Sequence, residues 1–242
     1  MAITTNLGFP RIGTKRELKR AVESFWAGKI GPDKLRDAAQ ALRQQHWKLQ
    51  QEIGIEHIPS NDFSLYDHVL DTAAMVGAVP NRFGWQGEDV DLATYFAMAR
   101  GLDEVPAMEM TKWFDTNYHF LVPEFERGQT FGLASTKPVD EFEEALSLGI
   151  MTRPVLLGPV SFLLLGKSRE EKLDTLVLLE DLLPIYGKIL HRLMKSGAQW
   201  VQIDEPVLVL DLDQNALSAF DKAYGYLNGV ASNLKICLCE FK

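Results

Sequence analysis

Five cationic side chains crowd into ten residues near the N-terminus: Arg11, Lys15, Arg16, Lys19 and Arg20, opposed by Glu17 alone. They follow Gly8-Phe9-Pro10-Arg11-Ile12-Gly13, which reads as a strand over residues 6–9 and a tight turn into a helix. A helix that starts at the C-terminal end of a strand aims free N–H groups and the positive end of its dipole at that place, which favours an anion. Arg16 and Lys19 are three apart and share a helix face, a spacing suited to gripping carboxylates. The same residue types also describe a solvated basic helix face, and spacing alone does not separate the two.

Three further segments carry chemistry. Residues 110–120, MTKWFDTNYHF, are dense in aromatic and polar groups. Lys112 offers another cation, and Trp113 and Tyr118 offer faces for a flat ring; an aromatic packing segment with a structural His119 accounts for the same residues. Residues 201–206, VQIDEP, end a strand on two carboxylates, Asp204 and Glu205. Two carboxylates suggest a glycosidase, but neighbours on a strand point to opposite faces, so one faces a site while the other holds structure. Cys237 and Cys239 share a strand face, yet zinc wants four ligands, or three and a water, and no nearby spacing supplies them. Reduced cysteines packed as small hydrophobes are the simpler reading. Phosphate-loop, dinucleotide, nucleophile-elbow and H-E-x-x-H motifs are missing.

The elements that must position these groups alternate. Thr14 and Glu17 form a T-x-x-E capping box ahead of a helix with Leu18, Val22 and Phe25 inward and Gly28 as its stop. A second helix spans residues 33–51, with Leu35, Ala38, Leu42 and Leu49 inward. Residues 59–62 read as a turn, 64–75 and 91–100 as helices, and 77–87 as loop. Then come a strand at 131–134, a helix at 139–148 closed by Gly149, and a strand at 154–157 turned by Gly158-Pro159. A long helix follows at 170–195, with Pro184 inside it. Strands at 200–203 and 234–238 flank a helix at 217–227. Strand–helix alternation argues for a parallel α/β architecture with a helical insertion after the first strand. Five strands fall short of the eight of a closed (β/α)8 barrel, leaving an open sheet or a truncated barrel.

Bulk properties narrow the partners. A chain of 242 residues with net charge -8 lacks the positive surface that nonspecific nucleic-acid binding needs. No apolar run approaches the roughly 20 residues of a membrane span. The N-terminus has no signal-peptide stretch, and two cysteines cannot staple a fold of this size, so a cytoplasmic setting is expected.

Taken together, LGFPRIGTKRELKRAVESFWAG, SLYDHVLDTA, MTKWFDTNYHFLVPEF, RPVLLGPVSFLLLGK and WVQIDEPVLVL closely resemble cobalamin-independent methionine synthases, in the family's order and over almost the whole chain. The resemblance implies a TIM-barrel-type (β/α)8 domain, here truncated to about five parallel strands, with residues 1–242 an incomplete N-terminal barrel and a catalytic C-terminal barrel absent. It implies methyl transfer from 5-methyltetrahydropteroyltri-L-glutamate to homocysteine, with Arg16, Glu17, Leu18, Lys19 and Lys112 binding the folate's glutamate tail. The family's zinc belongs to the other barrel, held by a His-x-Cys pair, a Glu and a further Cys. The segment 235–241, KICLCEF, is similar to that catalytic strand, but Lys235 stands where the His would be. No bound metal is therefore expected, and no catalysis by this chain alone. A stand-alone folate-binding module, or a small barrel hydrolase using Asp204 or Glu205, are the competing readings. An unpaired last strand would favour a homodimer.

Overall fold

The structure is a computed structural model that describes residues 2–168 and 173–240. In chain order its strands are β1 (Ile58–Ser60), β2 (Met110–Lys112), β3 (His119–Leu121), β4 (Glu124–Phe125), β5 (Thr152–Leu157), β6 (Lys167–Ser168), β7 (Trp200–Asp204) and β8 (Lys235–Cys239). Its α-helices are α1 (Glu17–Trp26), α2 (Pro32–Glu52), α3 (His68–Met75), α4 (Leu92–Arg100), α5 (Lys137–Ser147), α6 (Pro159–Leu165), α7 (Leu179–Lys195) and α8 (Gln214–Val230).

The main sheet has the order β1-β5-β7-β8, every pair parallel. Parallel neighbours need crossovers, and α5, α7 and α8 lie between successive strands in the chain. These four strands are half of the eight that close a (β/α)8 barrel. β1, β5 and β7 are buried on both faces, which sets their composition, whereas β8 at the sheet edge is partly exposed. On β7, Val201 and Ile203 join a core with Phe142 of α5, Leu182, Tyr186 and Ile189 of α7, and Ala223 and Leu227 of α8. Tyr186 takes its hydroxyl into that core by donating to the Leu157 carbonyl at 2.6 Å. The opposite face of β7 carries Gln202 and Asp204, both inward and polar. A second core joins α1, α2, α3 and α4 through Leu18, Val22, Leu35, Leu42, Leu70 and Met98.

Several elements differ from the sequence expectation. The strand expected at 6–9 shrinks to one parallel bridge, Thr5 with His57. Its backbone is instead tied down by side chains: Arg153 donates to the Asn6 carbonyl at 2.6 Å and Gln202 to the Leu7 carbonyl at 3.2 Å. β1, expected as part of a turn, is the strand that precedes the site. Residues 131–134 form no strand; Gly132 and Ala134 donate to the Val76 and Met75 carbonyls at the end of α3. Gly158-Pro159 does not turn the chain back but starts α6, with Pro at the first helical position, where its missing N–H costs nothing. Leu49 faces solvent, and Ala39, His46 and Trp47 take the inward stripe of α2. The capping box also fails: α1 begins at Glu17 itself, whose carboxylate accepts from the Lys15 N–H at 2.9 Å, and Thr14 stays outside. The expected helix start at Glu170 lies outside the described residues, as does Phe241; α7 begins at Leu179 and runs on through Pro184.

Candidate functional site

The C-terminal ends of β1, β5 and β7 open into a cavity of about 520 Å³. Its floor is Val155, Leu156 and Leu157 of β5; its wall is Met75 and Thr72 of α3 with Trp113, Thr116 and Tyr118 of the β2–β3 hairpin; its lid is the segment 7–11. The hairpin is held there by Asp67. This buried N-cap accepts from Val69 and Leu70 N–H with one oxygen, at 2.8 and 3.0 Å, and from Leu121 N–H of β3 with the other, at 3.2 Å. Burial nonetheless pushes its carboxyl up to about 7.

Two charge systems meet the cavity. In the first, Lys137 contacts Asp71 and Glu141, both at 3.2 Å, and donates to Asn61 Oδ1 at 2.8 Å. Burial by itself would lower the Lys137 pKa, but Glu141 and Asp71 outweigh it and the net shift is upward. Asp71 further accepts from Ser64 and Tyr95 hydroxyls at 2.7 and 2.6 Å. In the second, Arg153 donates to Gln202 at 2.5 Å, and Gln202 donates to Asp204 Oδ1 at 2.6 Å. Asp62 accepts the Phe9 N–H at 2.7 Å. Burial raises Asp62 to about 6 and Asp204 to about 7. His68 faces the same space, stacked on Tyr118 with centroids 6.0 Å apart, and burial pushes it down to about 4, so it is neutral.

Glu205, the other strand-end carboxylate, points elsewhere. It is fully buried, accepts Ser161 N–H at 2.7 Å in the first turn of α6, and accepts the Tyr224 hydroxyl at 3.0 Å. One strand-end carboxylate thus faces the cavity and its neighbour holds structure, as the alternation of a strand requires.

The family model described as "Cobalamin-independent synthase, N-terminal domain" matches residues 3–241. The chain belongs to this family. A 5-methyltetrahydropteroyltriglutamate–homocysteine methyltransferase of Salinibacter ruber is 59% identical over 240 residues, covering 96% of this chain and 31% of that protein. One of the same name from Caulobacter vibrioides is 54% identical over 261 residues, covering all of this chain and 34% of that protein. The chain therefore spans about a third of the length of the curated relatives it matches. Two solved structures share the fold at low identity. A B12-independent methionine synthase from Shewanella matches with TM-score 0.59 and 15% identity, over 88% of this chain and 53% of that one. A putative one from Listeria monocytogenes matches with TM-score 0.56 and 13% identity, over 98% and 66%. The half-barrel of parallel strands is thus the barrel-type fold of these synthases.

Within this synthase domain the five expected tail-binding residues lie outside the cavity. Arg16 is exposed and left-handed, φ 60°, immediately before α1. Lys19 is exposed and pairs with Glu23 at 3.6 Å. Lys112 is exposed at the end of β2, opposite His119. Backbone N–H groups, then the Lys15 and Arg20 cations, hold the Glu17 carboxyl below its usual range. Leu18 is 3% exposed and packs in the helical core, where it fixes the face that α1 presents. The segments carrying these residues meet where Arg11 lies over the Tyr118 ring, 5.9 Å from its centroid. Arg11, Asp62, His68, Asp71, Lys137 and Arg153 were not singled out as site residues. A polar pair following a strand, Asn61-Asp62, would have been a signal once residues 58–60 were read as β1.

β8 carries the two cysteines and Lys235. Cys237 and Cys239 lie with Sγ atoms 3.7 Å apart, and Lys235 places its ammonium 4.9 Å from the Trp200 ring centroid. Burial, then the Cys237 thiol beside it, pushes the Cys239 thiol up to about 12. Among the described residues no three His, Cys, Asp or Glu side chains gather to hold a metal ion. No helix among them is long and apolar enough to cross a membrane.

Proposed function

We propose that this domain serves an enzyme that moves a methyl group from 5-methyltetrahydropteroyltri-L-glutamate to homocysteine, and that its share is to hold the glutamate tail on Arg16, Glu17, Leu18, Lys19 and Lys112. The relatives' names supply the reaction. The supporting observation on this chain is that exposed Arg16 and Lys19 stand on the loop and helix that meet the Lys112 hairpin through Arg11 and Tyr118, at the C-terminal end of the sheet. A left-handed, non-glycine Arg16 is strained, and such strain gathers at ligand clamps. Leu18 acts through packing, Glu17 by bonding the Lys15 N–H, and the cations meet the tail carboxylates. Charge reversal, Lys19→Glu, is expected to weaken triglutamate binding by about 1 kcal/mol, roughly fivefold, and monoglutamate binding less. Equal losses for both ligands, measured by calorimetry, would remove the tail-binding role.

In this reading residues 1–242 form one barrel-type domain that works with a C-terminal barrel of the same enzyme in the cytoplasm, and the zinc chemistry belongs to that partner. Purified chain supplied with zinc, folate and homocysteine is expected to form no methionine above background. Zinc-dependent methionine formation by this chain alone would overturn the division of labour. A hydrolase reading has less support, because Glu205 is turned away from the cavity and bonded to Ser161 and Tyr224.

β8 pairs only with β7, and Leu238 is 47% exposed, so the outer edge of the sheet offers unmade backbone hydrogen bonds among the described residues. We expect the isolated chain to form a homodimer through this edge. Light scattering at micromolar concentration would show twice the chain mass; a monomer mass with β8 protected from hydrogen exchange rules the dimer out.

A further inference from the structure

The cavity is not part of the tail-binding reading, and its chemistry is polarised. On the sheet side stand Asp62 and Asp204, each with one oxygen engaged, by Phe9 N–H and Gln202 respectively. No other described residue donates to the second oxygen of either carboxylate, and neither oxygen is sealed from the cavity. Asp204 is nine-tenths buried, so an uncompensated carboxylate there is costly and calls for a donor. On the hairpin side Arg11 lines the cavity, and among the described residues it meets no carboxylate within ion-pair distance. Phe9, Met75, Val155 and Leu157 give the lining its apolar part, and the Lys137 ammonium that also reaches the cavity is already neutralised by Asp71 and Glu141 at 3.2 Å.

Other occupants fit less well. A flat ring finds little free aromatic face inside the cavity, because Tyr118 already has His68 stacked on it and Arg11 over its ring, and Trp113 is 5% exposed among His68, Phe114, Tyr118 and Phe120. An anion alone would face two carboxylates. A metal ion would need a third donor that the described residues do not gather.

We infer that the cavity binds a small zwitterion with an apolar body, an apolar α-amino acid, its ammonium between Asp62 and Asp204 and its carboxylate on Arg11. A primary ammonium brings three donors, enough for the open oxygen of each aspartate. Arg11 presents the planar fork that matches a carboxylate. A straight aliphatic side chain covers Met75 and Leu157 and gains by displacing water from them. The cavity is of the size that small-molecule sites have, and it opens at the strand ends where barrels of this type bind their ligands.

The test uses three matched probes on the unmodified chain by titration calorimetry: L-norleucine, hexanoate, which lacks the amine, and 1-aminopentane, which lacks the carboxylate. L-Norleucine is expected to bind at one site per chain, and each analogue at least about tenfold more weakly, since a charge-assisted pair is lost. Asp62→Asn keeps an oxygen for the Phe9 N–H and is expected to weaken norleucine binding by at least about tenfold. Lys19→Glu should leave norleucine binding unchanged while altering triglutamate binding, so this inference and the tail-binding proposal fail separately. No norleucine heat at millimolar concentration, equal binding of either analogue, or full binding by Asp62→Asn would each overturn it.

Discussion

Gly158→Ala is expected to destabilise the domain by roughly 3–5 kcal/mol. The backbone at Gly158 is extended, φ -69°, so alanine meets no conformational penalty there. The cost is steric and electrostatic. A Cβ at this position would sit 2.0 Å from Glu205 Cδ and 2.1 Å from its Oε1. Glu205 cannot swing aside without leaving Ser161 N–H and the Tyr224 hydroxyl, and it is wholly buried. Either the strand end and α6 move apart or a buried carboxyl loses both partners, and breaking a buried polar pair costs several kcal/mol. In a domain of this size each kcal/mol moves Tm by about 2–4 °C, so a fall of roughly 6–20 °C is expected. In a Glu205→Ala background the same Gly158→Ala change should cost less than about 1 kcal/mol, because the clash is gone. Additive losses in that double-mutant cycle would show that the contact does not govern the site.

The fold was legible in the sequence where its signal is local. Long periodic helices such as α2 and α8, and the continuous apolar runs of β5 and β7, carry their signal in consecutive residues, and both were placed to within a few residues. The first strand misled because the apolar run at 6–9 is held by Arg153 and Gln202, residues about 150 and 200 positions away, rather than by a ladder. β1 is only three residues long and includes Pro59, a residue that argues against a strand. The capping box at Thr14 failed for a tertiary reason as well. Gly13 turns at φ 79°, with no room for a Cβ beside Glu17 and Leu42, and that turn places Glu17 at the first position of α1.

The proposed tail-binding residues entered the reading by two routes: Arg16 and Lys19 belong to a cation cluster that stands out in an acidic chain, and Lys112 came from the family resemblance. The cavity could not be picked out, because its polar members come from four separate places: Arg11 from the N-terminal loop, Asp62 after β1, Lys137 at the start of α5, and Asp204 at the end of β7. Arg11 and Asp204 stand out in their own segments, but nothing local joins them to each other or to Asp62 and Lys137. The division of Asp204 from Glu205 was different, since strand alternation alone separates adjacent side chains, and the two do face opposite ways.

Glu205→Gln is expected to flatten the fall in stability toward alkaline pH. Burial raises the Glu205 carboxyl to about 7 from its ordinary 4.5, against the opposing pull of Ser161 and Tyr224. The folded state therefore keeps a proton that the unfolded chain releases near pH 4.5. Between these values the folded state binds more protons, so this group's contribution is whole below about pH 4.5 and is lost as pH rises to about 7. The shift corresponds to roughly 3 kcal/mol. Glutamine imitates the protonated acid: its oxygen accepts from Ser161 N–H, and its amide donates toward the Tyr224 oxygen. At pH 4.5 the variant and the parent should thus be nearly equal in stability, and at pH 8 the variant should be more stable by roughly 3 kcal/mol. His68 and Asp62 titrate in both proteins and cancel in the comparison. Asp204 is raised in part by the Glu205 charge, so removing that charge lowers its pKa and adds to the same trend. Urea unfolding of both proteins across pH 4.5–8 reads the difference directly. Parallel stability curves would mean that Glu205 is ionised in the folded state throughout, with Ser161 and Tyr224 fully offsetting its burial.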